Sequence, residues 1–523
     1  MKKLPIGIQS FKDLRANDYL YVDKTKDIHR MITSGKPFFL SRPRRFGKSL
    51  LVSTLEEIFK GNKALFEGLY IYDQWDWTQQ HPVIRLDFGG INNNTSAELE
   101  LDFSNKILSI AQEYGITLSR KLPGGFGELI EKLHITTGKQ VVVLIDEYDK
   151  PIIDNVSFPE IMEENKRILH GFYQVFKAVD QHLRLVFLTG VSKFSGISVF
   201  SGFNHLNDIT FDEQYSSICG YTQEELENNF SEYLVNTAQD VGNSTTELLD
   251  TIRHWYNGYS WDGTTTVYNP FSTLLFFAKR QLGNYWFRSG TPTFLIEILK
   301  QRNNLKPVLD PFTVDESVFE SFEPAKIDEI SLLFQTGYLT VKKKEAVDWQ
   351  QLPQYTLGIP NNEVKDSLLK YLLSAYSDYP AVNTQGLKQR MQQQLLAGDA
   401  TGLEQSLREM LAYIPFPLHI GREAYYHSLM LLWLKLLGFD ITGEITTNIG
   451  SIDAVWNLPG HTVVAEVKCR TKKSRMAALL TNALRQMEEK RYYERFMNEP
   501  KVSLLSVVFA EKEIGCRIVE KKK

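Results

Sequence analysis

"KPFFLSRPRRFGKSLLVSTLEEIF", residues 36–59, sets an apolar run, a basic turn and a helical pattern in direct succession. The run reads as a buried strand, and the segment after the turn carries helical apolar periodicity. Lys48 and Ser49 therefore fall at a helix N-terminus, where unpaired N–H groups and the positive dipole end attract phosphate. In a loop of the form G-x-x-x-x-G-K-[ST], the lysine reaches the outer phosphates and the hydroxyl of Ser49 joins the Mg²⁺ shell. Gly47 lets the backbone approach closely. The position five residues before Gly47, where the pattern has glycine, carries Arg42. Pro43 restricts Arg42 toward extended geometry, and Arg42, Arg44 and Arg45 place three positive charges around the anion site.

A partner follows about a hundred residues later in "VVVLIDEYDKP", residues 141–151. Five apolar residues and then Asp146-Glu147 describe a buried strand with two carboxylates at its C-terminal edge. In open α/β sheets that edge is where ligands bind. Asp146 is expected to hold Mg²⁺ and Glu147 to polarise the attacking water, since hydrolysis needs little beyond positioning and charge neutralisation. A further strand, "LRLVFLTG", ends near Thr189 and Ser192, where a hydroxyl could sense the outermost phosphate, with Lys193 the weaker candidate.

Short apolar runs alternate with helical patterns up to about residue 210, which predicts a parallel sheet. The stretch after that is mostly helical, with a helix–strand–strand–helix order near 330–375 of the kind a winged helix has. From about residue 415 come a helix, three strand candidates, a second helix and a final strand, "SLLSVVFAE". The expected divisions are a phosphate-loop core at 1–212, a helical lid at 213–320, a winged-helix-like connector at 321–410 and an α/β domain at 411–523. The chain is thus an α/β multidomain protein, as its 523 residues imply at roughly 100–200 residues per domain.

With 43% hydrophobic and 23% charged residues and a net charge of −4, the chain is not a nucleic-acid-coating protein, but a local basic patch is permitted. Its three cysteines lack C-x-x-C spacing, which suggests a reducing, cytoplasmic setting without a disulfide framework. No apolar stretch reaches the ~18 residues of a membrane span.

Near the C-terminus, "GSIDAVWN" places Asp453 on one strand and "HTVVAEVKCR" places Glu466 and Lys468 on the next. Strand residues at i and i+2 share a face, so a hairpin brings all three together. Two carboxylates and a lysine at one point suit a Mg²⁺ ion with an amine beside an attacking water.

Two resemblances follow. "LPIGIQSFKDLRANDYLYVDKT", "RPRRFGKS", "LIDEYDKPI", "FLTGVSKFS" and "WYNGYSW…YNPFS" occur in the order of the blocks of the AAA-ATPase-like family, a branch of the P-loop ATPases. In that family the loop commonly begins R-P-R-R-F-G-K-S, so the resemblance makes Arg42 a feature of the branch. The D-x12-E-x-K spacing and the element order around it resemble the PD-(D/E)XK nuclease superfamily, with a restriction-endonuclease-like fold. This second resemblance implies Glu423 as an extra metal ligand, with His427 one turn later, and Gln486 as the polar residue of the next helix, where Tyr492 lies farther away than the superfamily's spacing. That helix also carries Arg470, Lys472, Lys473, Arg475, Arg485, Lys490 and Arg491 on or near it, a phosphate-backbone track by their charge.

The reading is an ATP-binding, ATP-hydrolysing protein coupled to a Mg²⁺-dependent nuclease acting on nucleic acid, DNA before RNA. A homo-oligomer is compatible with it. The alternatives are a nucleotide switch whose nuclease-like domain binds without cutting, and a small-molecule kinase.

Overall fold

The computed structural model describes residues 1–120, 122–193, 203, 206–287, 311–320, 329–345, 352–376, 384–412, 423–447, 450–470, 474–510 and 513–521. The chain divides into two compact units, Met1–Leu295 with Phe312–Val364, and Ile296–Pro311 with Lys365–Lys523.

The first unit is built on a parallel sheet of β1 (Pro37–Ser41), β2 (Val83–Asp87), β3 (Val141–Asp146), β4 (Leu183–Gly190) and β5 (Asn207–Asp208), in the order β2-β3-β4-β1-β5. All six residues of β3 are buried, which is why its sequence is a continuous apolar run and not an alternating one. All strands point the same way, so Ser41, Asp87, Asp146 and Gly190 finish at one edge. Helix Lys48–Phe59 leaves that edge and buries Leu51, Val52, Leu55, Ile58 and Phe59.

Helices Gln223–Asn229, Ser231–Val241, Thr245–Tyr256 and Pro270–Lys279 follow. Thr222 and Ser244 start the first and third with reciprocal side-chain and backbone hydrogen bonds to Glu225 and Glu247. Their core of Leu226, Phe230, Leu234, Ile252 and Phe277 also takes up Leu20 and Val22 from the N-terminal segment. Tyr256, Tyr259 and Trp261 are buried and so unavailable for stacking on bases.

Helix Glu329–Gln335, β7 (Thr340–Glu345), β8 (Gln354–Gly358) and helix Asn362–Tyr376 appear in the expected order. The sequence reading missed β6 (Phe312–Asp315), which pairs antiparallel with β8 and is only half-buried. Glu363, at the start of the last helix, is fully buried. It accepts hydrogen bonds from Ser272 Oγ (3.0 Å) and the Trp286 N–H (2.8 Å). Burial without a cation lifts its carboxyl to about 7.

The second unit centres on a mixed sheet of β9 (Asp440–Thr447), β10 (Gly450–Leu458), β11 (His461–Cys469), β12 (Val502–Phe509) and β13 (Ile514–Lys521), in the order β13-β12-β11-β10-β9. Only β11 and β12 pair in parallel. Helix Met476–Glu489 makes the crossover between them and buries Ala483, Leu484 and Met487. The strand β13, "IGCRIVEK", went unread because its charges mark an exposed edge and not an apolar run. No described helix is long and apolar enough to cross a membrane.

Candidate nucleotide and nuclease sites

The turn between β1 and helix Lys48–Phe59 wraps the base of a cavity of about 420 Å³. Gly47, at φ 95°, occupies the left-handed region that glycine enters without a Cβ penalty. No side chain caps the helix that begins at Lys48, so its first N–H groups remain open to an anion. Arg44, Arg45, Gly47, Lys48 and Ser49 all line the cavity, and Arg45 lies over the ring of Phe271 at 5.0 Å.

Lys48 folds back into its own loop, donating to the carbonyls of Arg42 (2.9 Å) and Pro43 (3.0 Å). Burial lowers its pKa, while Asp146, Asp149 and Glu147 oppose that shift. An amine held by neutral carbonyls near three carboxylates is suited to exchange them for phosphate oxygens.

Asp146 ends β3 beside its register partner Asp87 on β2. It is buried, takes a side-chain hydrogen bond from Ser49, and has its pKa raised chiefly by burial, with Ser49 and Lys48 counteracting. Its Oδ1 accepts the Glu147 N–H at 3.0 Å, and its buried Oδ2 takes no hydrogen bond among the described residues. A hydroxyl beside a carboxylate oxygen without a partner, at the foot of a cationic loop, fits a hard divalent ion that completes its shell with water and phosphate. Glu147 lines the cavity, and burial is also the main cause of its raised pKa. Asp87 and Asp149 belong to this acidic wall too. Their signals were the aspartate closing "VIRLD" and the last acid of "DEYD", which strand-end reasoning passed over.

Two expected residues do not face the cavity. The Arg42 guanidinium turns inward, donating to the carbonyls of Ser41 (2.8 Å), Thr210 (3.0 Å) and Tyr215 (3.2 Å). Fully buried, it lies 3.8 Å above the Trp261 ring, and burial brings its pKa down to about 10. The first-glycine position is thus a brace, and of the three loop arginines it is Arg44 and Arg45 that line the cavity. Thr189 Oγ1 is likewise buried, donating to the Leu40 carbonyl at 2.8 Å, so it ties β4 to β1 and does not face a γ-phosphate. Lys193 pairs with Asp208 at 2.9 Å.

An apolar recess of about 70 Å³ adjoins the cavity. Leu50, Tyr221 and Pro270 line both, and Tyr21 and Ile218 line the recess alone.

In the second unit the β10–β11 register runs from Leu458↔His461 to Ala454↔Ala465. At the next residue, Asp453 Oδ2 accepts the Val467 N–H at 2.8 Å, which sets its carboxylate between Glu466 and Lys468 along β11. Lys468 Nζ donates to Glu466 Oε1 at 2.8 Å, and Gln486 Nε2, from the crossover helix, donates to the same oxygen. His427 Nε2 meets the Asp453 carbonyl at 2.7 Å. Asp453, Glu466 and Lys468 therefore converge as the strand spacing implied, and Gln486, named from the resemblance, joins them. Glu423 opens helix Glu423–Leu436, but its side chain lies outside the described residues.

No group of three or more His, Cys, Asp or Glu side chains among the described residues could enclose a metal. Asp453 and Glu466 are two, and a hard cation held by two carboxylates takes its remaining oxygens from water and substrate. Tyr492 packs into the core with Val455 and Leu504, so it takes no part in the site. Of the basic track, Arg470, Arg485 and Arg491 make ion pairs with Glu513, Glu489 and Glu494, while Lys472 and Lys473 lie outside the described residues.

Comparison with known proteins finds a family for the region that holds each cluster. Residues 5–200 match the family described as predicted AAA-ATPase. Residues 421–518 match the PD-(D/E)XK nuclease superfamily. An uncharacterized protein from the vnfD 5′ region of Azotobacter chroococcum mcd 1 is 41% identical over 521 residues, covering 97% of this chain and 96% of that protein.

Proposed function

The chain belongs to the predicted AAA-ATPase family and carries a PD-(D/E)XK nuclease superfamily domain at its C-terminal end, and from this premise we propose that it is an ATP-driven, Mg²⁺-dependent nuclease acting on DNA. The observation that carries the proposal is that each unit sets a lysine against carboxylates able to hold a divalent ion: Lys48 beside Asp146 and Glu147, and Lys468 on Glu466 beside Asp453.

In the first unit Lys48 leaves the carbonyls of Arg42 and Pro43 for the β- and γ-phosphates, assisted by Arg45 and the open helix N-terminus. Ser49 and Asp146 hold Mg²⁺, which when bound neutralises charge on the phosphates. Glu147 orients the water for in-line attack. The apolar recess beside Leu50 and Tyr221 suits the base of the nucleotide, held by contact with flat and aliphatic side chains.

In the second unit Asp453 and Glu466 hold the cation and Lys468 stabilises the attacking water. Gln486 keeps the Glu466 carboxylate oriented, as outer-shell partners of metal ligands do. We assign the coupling to the lid at 213–320 and the connector at 321–410, and the compartment to the cytoplasm.

Purified full-length protein incubated with Mg²⁺ or Mn²⁺, with and without ATP, on single- and double-stranded DNA and RNA tests this. The wild type should cleave DNA and Asp453→Ala should not. Equal cleavage by both removes the nuclease reading, and cleavage confined to RNA removes the substrate assignment.

A further inference from the structure

Glu147 has φ 51°, in the left-handed region that a residue carrying a Cβ occupies at a cost its surroundings must offset. On one side it is held by Asp146, registered against β2. On the other side the chain is zipped to the segment following β4. The Tyr148 N–H donates to the Thr189 carbonyl (3.2 Å) and the Tyr148 hydroxyl to the Ser192 carbonyl (2.8 Å). Between these, one oxygen of the Asp149 carboxylate accepts two backbone donors, Val191 N–H (2.9 Å) and Ser192 N–H (2.6 Å).

The same segment is bonded from its other flank to the phosphate loop. The Arg42 N–H donates to the Gly190 carbonyl at 3.2 Å, and the Ser41 hydroxyl donates to the Val191 carbonyl. Residues 190–192 therefore bridge the loop that carries Lys48 and the turn that carries Glu147. The bridge has room for nothing larger than glycine at position 190, since a Cβ there would stand 2.4 Å from Asp149 Oδ1 and 2.7 Å from Tyr148 Cδ1.

We infer that Asp149 is a positioning residue for nucleotide hydrolysis: by clamping Val191 and Ser192 it holds Glu147 in its left-handed conformation, facing the cavity, and in register with Lys48. The inference rests on the hydrolytic reading above. A carboxylate buried to 2% exposure is costly unless its acceptors are satisfied, and Asp149 satisfies one oxygen wholly with main-chain donors. Burial lifts its carboxyl to about 6, less than burial alone would because Ser192, Lys48 and Val191 favour the charged form. At neutral pH it is therefore an ionised acceptor that draws in both N–H groups. Asp149 does not need to touch substrate, and it acts through the geometry of Glu147.

The test compares full-length wild type, Asp149→Ala, Asp149→Asn and Glu147→Gln for affinity toward a fluorescent ATP analogue, for ATP turnover, and for amide exchange in segments 144–149 and 187–193. Asp149→Ala should lower kcat on the order of 100-fold, the scale of a small misplacement of a reacting group, while affinity stays within about threefold, as for a residue whose contribution is confined to the transition state. Exchange should quicken in both segments together. Asp149→Asn keeps an acceptor oxygen and should recover most of the turnover and the protection.

Affinity that falls in step with kcat, or an asparagine variant no better than alanine, overturns the inference. Turnover in Glu147→Gln equal to wild type, or none in a wild type that binds nucleotide, overturns the hydrolytic reading itself. In that case, exchange in Asp149→Ala matching wild type removes the clamp as well, and faster exchange in both segments retains it.

Discussion

The Arg42 guanidinium lies 3.8 Å above the ring of Trp261, so the residue standing where a phosphate loop ordinarily has glycine is part of the protein interior. It joins the loop to the segment at 210–215 and to Trp261. The loop's departure from the usual pattern is thereby explained. Its first residue packs into the interior, while Arg44, Arg45 and Lys48 line the cavity.

Arg42→Ala is expected to lower stability by about 3 kcal/mol, through lost charge-assisted hydrogen bonds and a desolvated cation–π contact. Trp261→Leu should cost somewhat less. Nucleotide affinity of the folded variants should stay within about threefold of wild type, since neither side chain lines the cavity. Thermal denaturation and analogue titration separate the two quantities, and an affinity loss that exceeds the stability loss would restore Arg42 to the phosphate site.

Lys48→Ala should weaken ATP-analogue binding by about 10- to 100-fold, the worth of a charge-assisted phosphate contact. Lys48 also offsets the burial of Asp146, Glu147 and Asp149, so the three carboxyls should shift further up in the variant. Unchanged affinity removes the phosphate role.

Burial pushes the Glu363 carboxyl up to about 7 in the fold, from an ordinary value of 4.5. Between those values the unfolded chain has lost the proton and the folded chain keeps it, so unfolding releases protons and stability falls as pH rises. The glutamate is buried and accepts from Ser272 and Trp286 through one oxygen, a role glutamine can keep. Glu363→Gln should therefore gain on wild type by about 2 kcal/mol in going from pH 5 to pH 8. Parallel denaturation curves for the two proteins at both pH values would refute the shift.

Gln486→Ala should reduce cleavage by about 10- to 100-fold, as removal of an outer-shell partner does, and the loss should shrink at high metal concentration. Asp453→Ala and Lys468→Ala should abolish cleavage without abolishing DNA binding. A Gln486→Ala loss that is indifferent to metal would mean that its hydrogen bond to Glu466 serves packing only.

Much of this was legible in the chain. "VVVLID" had to be a fully covered strand because five consecutive apolar residues do not sit at an edge, and strand-then-helix at residues 36–59 put Lys48 at a helix N-terminus. The i, i+2 rule put Glu466 and Lys468 on one face before any pairing was known. What escaped was decided by contacts between distant segments. Strand β13 is too charged to look like a strand alone. Asp149 looked like a second polar residue in a turn until the main chain of 191–192 came to lie against it. Arg42 and Thr189 looked like ligands because they flank the motif, and one dihedral rotation of an arginine chooses between solvent anion and buried aromatic.

Sequence by itself determined the local elements and which residue types stood at their ends, because backbone periodicity and turn chemistry act over a few residues. Tertiary structure alone decided which of those polar ends faces a cavity and which is absorbed into the interior. That choice depends on hydrogen-bond partners supplied from more than a hundred residues away, as Thr210 and Tyr215 supply them to Arg42.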